Sequence, residues 1–308
     1  MNARPAIANA LEPSAMPEGA LSHSVFKTMS ETDATLERFA WLGDELAVAI
    51  WRRDTVIAET SYDKPGHHTL SYYMDGGHRT ERWELPGIYG APKRLCTLPD
   101  WHESSWTVRG QMHFMHLYFL PQHFTRRAVV ELDREPRELT LADRTYFEHE
   151  RIGQLCTALT SMSWDGPDAQ LRANEVAHEA LSHLLLAQSV PQYQARVRGG
   201  LAPVVRRRLA DYIEAHLSKN ITLGMLAQLA CMSEYHLARM FKLSFGMPPS
   251  AWIAARRIEY ARRLLKTSGQ PLQQIADACG YADLSHFSHR FRDATGASPS
   301  RYRSIIAA

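Results

Sequence analysis

The chain has 308 residues, 22% of them charged and 45% hydrophobic, with a net charge of +2 at pH 7, a length that fits two ordinary domains each burying its own core. That near-balance conceals an asymmetry: residues 201–308 hold 15 Lys and Arg against 7 Asp and Glu, a net +8, while residues 1–200 hold 20 against 26, a net −6, so the last third suits a polyanion and the rest does not. No run approaches the roughly 18 apolar residues of a membrane span, the start lacks a basic-then-apolar leader, and the four Cys show no zinc-type spacing, which together predict a cytoplasmic chain with reduced thiols.

Residues 1–23 are rich in Ala, Pro and Ser without period and predict a mobile tail. From 24 to about 130 the pattern shortens to strands: 46–51 is apolar, 69–74 alternates and 113–120 is aromatic-rich. Turns are expected at Pro65-Gly66, Gly76-Gly77, Pro86-Gly87, Pro92 and Pro99-Asp100. Short strands punctuated about every ten residues predict an antiparallel β-barrel or double-sheet jelly roll. Trp51, Tyr72, Trp83, Trp101, His102, Trp106, His116 and Tyr118 are the candidate pocket, able to stack on a small ligand and hydrogen-bond to it, or simply to fill the barrel.

Histidines at 67, 68, 78, 102, 113 and 116 invite a metal. Strand alternation, however, sends His67 and His68 to opposite faces, and His113 and His116 likewise, and no His-x-His with a nearby Glu follows a glycine turn. No metal and no cofactor are expected. The sequence also carries no nucleophile elbow, Walker loop or dinucleotide fingerprint, so no enzyme is expected.

Helical period returns over about 139–162 through Leu141, Tyr146, Ile152, Leu155 and Leu159, and breaks at Trp164-Asp165-Gly166-Pro167. It resumes through Leu171, Val176, Ala180, Leu181, Leu184 and Leu185 to about 190. Residues 192–200, ending in Gly199-Gly200, read as a linker between a domain at 24–191 and another at 201–308.

Between 222 and 303 a helix, turn, helix pattern occurs twice. Thr222 is placed to cap a short helix carrying Leu223, Leu226, Ala227 and Ala230. Ser233 caps the next, which points Leu237, Met240 and Phe241 inward and leaves Tyr235, His236, Ala238, Arg239 and Lys242 outward or at its edge. The second copy starts at Pro271, carries Leu272, Ile275 and Ala276, and turns at Gly280. Its second helix points Leu284, Phe287 and Phe291 inward and offers Ser285, His286, Ser288, His289 and Arg292 to a partner. Ala227 aligns with Ala276 and Phe241 with Phe291, offsets of 49 and 50, so this is an internal repeat with one extra residue in the second turn. An amphipathic helix from Pro249 through Leu265 joins the copies. At about 1.5 Å per residue it spans roughly 27 Å, a rigid spacer for two helices that must sit about 34 Å apart to enter successive major grooves.

The residues Phe241-Lys242, Phe245-Gly246, Pro249, Arg257-Ile258, Ala261, Leu264-Leu265, Ile275-Ala276, Gly280-Tyr281, Phe287-Ser288, Phe291, Gly296, Pro299-Ser300 and Tyr302-Arg303 resemble the AraC/XylS family of bacterial transcription regulators over the last third of the chain. The resemblance implies an all-helical DNA-binding domain whose two recognition helices enter adjacent major grooves. It also implies an N-terminal domain that senses or dimerises, and an activator, hence RNA polymerase as a partner. Leu98-Pro99-Asp100-Trp101-His102 before the 113–120 strand is similar to that family's cupin-like sensor barrels. By the same resemblance the helices over about 139–190 form a homodimer contact, packing on their own barrel being the alternative. Cys231 stands where the first turn of the family often has Gly, which suggests a slightly different turn.

The resulting expectation is an α+β, two-domain regulator that binds double-stranded promoter DNA and responds to a small-molecule effector in its barrel. A repressor or architectural DNA-binding protein without effector is one alternative, and a cupin-type metalloenzyme with an accessory helical domain another. Base edges would be read by Tyr235, His236, Ala238 and Arg239 in the first unit and Ser285, His286 and His289 in the second; a guanidinium can pair bidentately with guanine. Thr222, Ser233, Lys242, Arg290 and Arg292 would hold phosphates. The first unit therefore discriminates more between sequences than the second. Selection of preferred sites from random DNA checks this: Arg239→Ala should change the preferred operator more than a His286→Ala, His289→Ala double substitution, and the reverse ranking refutes it.

Overall fold

The computed structural model describes residues 25–191 and 199–306. The expected tail lies outside them, and of the expected linker only Gly199 and Gly200 are described. In chain order come helix α1 (Val25–Ser30), strands β1 (Thr35–Gly43), β2 (Leu46–Asp63), β3 (His68–Gly76), β4 (Glu81–Arg82), β5 (Leu95–Leu98) and β6 (Glu103–Phe119), and helix α2 (Pro121–Leu132). Strands β7 (Leu139–Leu141) and β8 (Arg144–Phe147), helices α3 (Glu150–Ser161) and α4 (Pro167–Gln188), and strand β9 (Ser189–Pro191) follow.

The expected barrel is not closed. Seven strands form one antiparallel sheet in the order β1-β2-β6-β3-β5-β8, with β4 beside β6, and its edge strands do not pair with each other among the described residues. Its spine is the long pair β2·β6, in register from Leu46↔Phe119 to Asp63↔Glu103. Both faces of that spine are buried. Leu46, Val48 and Ile50 face a core with Leu70, Leu117 and the apolar sides of α2, α3 and α4. Ala47, Ala49 and Trp51 face another with Tyr73, Trp106, Phe114 and α1. Burial on both sides is why 46–51 is apolar without alternation.

Two further expectations are corrected. Residues 139–147 are strands rather than helix: β7 pairs with β9, β8 pairs with β5, and the Thr97 hydroxyl donates to the Ala142 carbonyl while accepting from the Arg144 amide. The barrel span to about 130 also includes α2, which Pro121 opens at a first-turn position where its missing amide costs nothing.

The C-terminal part is all helical: α5 (Pro203–Ala215), α6 (Leu223–Ala230), α7 (Glu234–Phe245), α8 (Pro249–Thr267), α9 (Leu272–Ala278), α10 (Leu284–Thr295) and α11 (Pro299–Ile306). It has two cores. One gathers Leu209, Ile213, Leu226, Leu237, Phe241 and Phe245 with Trp252 and Ile253 of α8. The other gathers Ile275, Phe287, Phe291 and Tyr302 with Ile258, Ala261 and Leu265 of the same helix.

The sheet region docks on α8 through a polar junction. Asp44, in the left-handed turn between β1 and β2, accepts from Arg262 and, at 3.0 Å, from Nε2 of His178 on α4. Nδ1 of His178 meets the Arg127 guanidinium at 2.7 Å; since an arginine only donates, His178 is the neutral Nε2–H tautomer. Burial opposes ionisation of Asp44, but Arg262 and His178 more than offset it and hold the carboxyl far below its ordinary range.

Buried imidazoles set a pH dependence. Burial lowers His68, His116 and His123 each to about 3. Above about pH 6.5 they are neutral folded or unfolded; between about 6.5 and 3 the unfolded chain binds protons that the folded chain refuses, so stability falls with falling pH by up to about 1.4 kcal/mol per pH unit for each histidine. Urea midpoints should be flat from pH 8 to 7 and fall from 6.5 to 5, with a shallower fall in His116→Gln; a flat profile to pH 5 contradicts this assignment.

Candidate nucleic-acid interface

Helices α6 and α7 form the first helix-turn-helix unit. The Thr222 hydroxyl accepts from the Met225 amide at 3.2 Å and the Ser233 hydroxyl from the His236 amide at 3.3 Å, so both helices begin with a side-chain cap. Between them Cys231 adopts φ 53°, ψ 43°, and the Met232 amide returns to the Ala227 carbonyl at 2.9 Å. The turn is thus the left-handed one a glycine would make, not the different turn the cysteine suggested. Leu237, Met240 and Phe241 are buried, whereas Tyr235, His236, Arg239 and Lys242 are exposed and Ala238 half-buried. Tyr235 is 81% exposed, so among the described residues nothing covers the outer face of α7 there.

In the second unit, α9 and α10, the cap is Asp283, whose carboxylate accepts from the His286 amide at 2.7 Å. An Asp just before a periodic run is a start signal carried by the sequence, beside the Thr222 and Ser233 caps of the first unit. Ser285, His286, His289, Arg290 and Arg292 are exposed. His289 lies 3.0 Å from Asp293 one turn on, and the His286 ring meets Tyr281 edge-on with centroids 5.5 Å apart. Arg290 is set apart from the others: it lines a cleft of about 380 Å³ against Asp44 and Arg262 at the junction.

The two units are fixed to each other by a residue that the sequence places in the family-like pattern without a structural role. Arg257 of α8 donates to the carbonyls of Leu217 (3.1 Å) and Lys219 (2.7 Å), beyond α5 in the first unit, while its guanidinium lies 5.8 Å from the Tyr281 ring in the second. Gly280 makes room for this. A Cβ there would sit 2.3 Å from the Leu217 carbonyl oxygen and 2.6 Å from Arg257 Nη2.

Comparison with known proteins bears on this geometry. The helix-turn-helix domain family matches residues 226–305. The chain is 34% identical over 96 residues to the probable transcriptional regulator LumQ of Photobacterium leiognathi, covering 31% of this chain and 39% of that protein. It is 31% identical over 129 residues to the arabinose operon regulatory protein of Escherichia coli K12, covering 41% and 44%. Among solved structures, a transcriptional regulator of the AraC-type DNA-binding domain class from Chromobacterium violaceum aligns at 28% identity, covering 33% of this chain and 90% of that one, with a TM-score of 0.31. The C-terminal third is an AraC-type helix-turn-helix domain. The match spans less than half the length of these two relatives.

Outside the AraC-type domain, the candidate pocket residues do not converge. Trp106 and His116 line an inner cavity of about 40 Å³, room for little more than a water. Trp51 and Tyr118 share that core, the indole donating to the phenol oxygen at 3.1 Å. Tyr72 faces the other core and bonds Thr157 at 2.8 Å. His102 is buried with Nε2 2.6 Å from the Ser104 hydroxyl, while Trp83 and Trp101 are about half exposed on the outside. Among the described residues no cluster of three or more His, Cys, Asp or Glu is placed to hold a metal, and no described helix is long and apolar enough to cross a membrane.

The two turns of the AraC-type domain make opposite predictions. A non-glycine residue in the left-handed region costs about 1–2 kcal/mol, partly offset by glycine's greater freedom when unfolded. Cys231→Gly should therefore stabilise the domain by roughly 0.5–1 kcal/mol, and Gly280→Ala should destabilise it by at least about 2 kcal/mol through the clash with Leu217. Denaturant unfolding of both variants checks the pair of signs.

Proposed function

We propose that this chain is a sequence-specific DNA-binding regulator of transcription. The observation that carries the reading is the doubling itself: two side-chain-capped helices, each with its outer face bare, stand on one shared helix. In this reading Tyr235, His236, Ala238 and Arg239 read bases from α7, and Ser285, His286 and His289 from α10. Lys242, Arg290, Arg292 and the helix starts at Thr222 and Ser233 hold phosphates. The net +8 of residues 201–308 supplies the attraction. Residues 24–191 act as sensor and dimerisation region, and the regulator is an activator that contacts RNA polymerase. A ligand-free N-terminal region is the second reading, favoured by the small inner cavity.

Selecting bound fragments from genomic DNA and measuring their affinity across salt tests the proposal. Phosphate contacts make log K fall linearly with log salt, and Lys242→Ala should reduce that slope by about 1 while leaving sequence preference unchanged. An affinity flat across salt, or no fragment enriched over bulk DNA, would defeat it.

A further inference from the structure

The N-terminal region is acidic as a whole, yet one cleft in it is basic. This cleft, of about 510 Å³, is lined by Arg52, Arg53, Arg79 and Arg109, with Asp54 and Asp75 as its acids. Two of the four guanidinium groups are neutralised by carboxylates of β1 and its approach: Arg52 by Glu37, and Arg53 by Asp33, with Arg53 also donating to Thr60 at 2.8 Å. The acids have other uses. Asp54 accepts from the Gln111 amide at 3.1 Å and Asp75 from the backbone amide of Gly76 at 2.8 Å. Arg79 and Arg109 have no ion-pair or hydrogen-bond partner among the described residues.

The backbone around Arg109 is irregular on both of its edges. Toward β2 the register passes from Thr55↔Gly110 to Ala58↔Val108, so Val56 and Ile57 oppose Arg109 alone, a β-bulge. Toward β3 the ladder ends at Gly76↔Met112 and resumes only at Glu81↔Thr107 of β4, and the segment carrying Arg79 crosses the gap. Gly110 takes a φ of 76° with open space where a side chain would be. Bulges of this kind re-aim a side chain next to binding sites, and here the side chain at the bulge is an unpaired arginine that lines the same cleft as a second one. Arg53 and Met112 wall both this cleft and the inner aromatic cavity, so a flexible methionine is part of the partition between them.

We infer that this cleft binds a small organic anion, a carboxylate or phosphate group held by the forks of Arg79 and Arg109, with its apolar portion against Met112. Paired guanidinium forks match the two oxygens of either group. That the anion is the effector rests on the regulator reading above; that the cleft binds it does not.

The test titrates the full-length protein calorimetrically at fixed ionic strength with inorganic phosphate and, separately, with succinate, over a chloride background. At least one probe should bind, and Arg79→Gln with Arg109→Gln should weaken it at least tenfold while leaving DNA affinity without probe unchanged. Phosphate binding alone assigns a phosphorylated ligand, succinate alone a carboxylate, and both the shared chemistry. Should that double variant fail to fold, Arg79→Lys with Arg109→Lys keeps the charge but loses the forks, and weakened binding is again expected. No binding of either probe by the unaltered protein, or undiminished binding by the folded double variant, overturns the inference. Anion binding without any DNA binding would leave this site standing and remove only the regulator reading.

Discussion

Helix α8 belongs to two cores at once, and the C-terminal architecture depends on that. Its first turns give Trp252 and Ile253 to the core of the first unit, with Trp252 1% exposed and edge-on to Phe245 at 4.8 Å. Its later turns give Ile258, Ala261 and Leu265 to the second. Emptying a site as buried as Trp252 costs about 3–5 kcal/mol in typical cores, a large share of a domain's net stability. Neither unit can therefore tilt without repacking the other. Arg257 adds direction to this stiffness, since it bonds the Leu217 and Lys219 carbonyls beside Gly280, where a side chain would collide with both Leu217 and Arg257.

Where α8 meets the sheet region, polar groups add to the apolar contacts that Val129 of α2 and Leu171 of α4 make with the two C-terminal cores. Arg262 is 7% exposed and its main anionic partner is Asp44, which His178 also grips. Such a pair is costly to bury and costlier to break, about 3–5 kcal/mol when one partner is removed. Apolar surface is forgiving of small sliding motions, whereas the directional bonds of Arg262 and His178 to Asp44 are not. Further out, Glu175 of α4 accepts from both Lys266 and Tyr302, and Arg301 pairs with Asp168. The junction thus fixes how the sheet region sits on the helix that both helix-turn-helix units share.

How much of this could be read from residues alone differs between the two halves for a physical reason. Helical units announce themselves by local spacing, so Leu237, Phe241, Phe287 and Phe291 were legible as core and their neighbours as surface. Helix α5 escaped because Arg206, Arg207 and Arg208 mask the Leu209 and Ile213 period, and Arg206 is itself buried, with its guanidinium donating to the Asp133 carbonyl at 2.7 Å. In the sheet region, turn spacing is the same whether the sheet closes or stays open, so closure was not encoded locally. Leu141, Tyr146 and Ile152 also fit a helical period by coincidence, because short apolar runs do not distinguish helix from strand. The aromatic pocket set lies scattered for a related reason: composition names Trp83 and Trp101, but register decides which face they take. The basic cleft was invisible because it needs a bulge in β2 and the end of β3 at the same level of the sheet.

On the proposed function, a ligand bound in the sheet region would alter DNA affinity only by favouring one arrangement of the molecule over another. Strand β2 is the physical line along which that preference would act. It begins beside the Asp44 turn, at Leu46, and reaches the basic cleft at Arg52 and Arg53. Seven residues at about 3.3 Å each make roughly 23 Å of strand, buried on both faces and hydrogen-bonded along both edges by β1 and β6. An element so constrained does not bend gradually; it shifts as a unit or not at all. The compliant end is then the left-handed Gly43-Asp44-Glu45 turn, where all three residues have positive φ and the restoring force is the Asp44–Arg262–His178 cluster. Neutral His178 accepts from Arg127 only while unprotonated, so protonating it would break one bond of the cluster that joins the sheet region to α8.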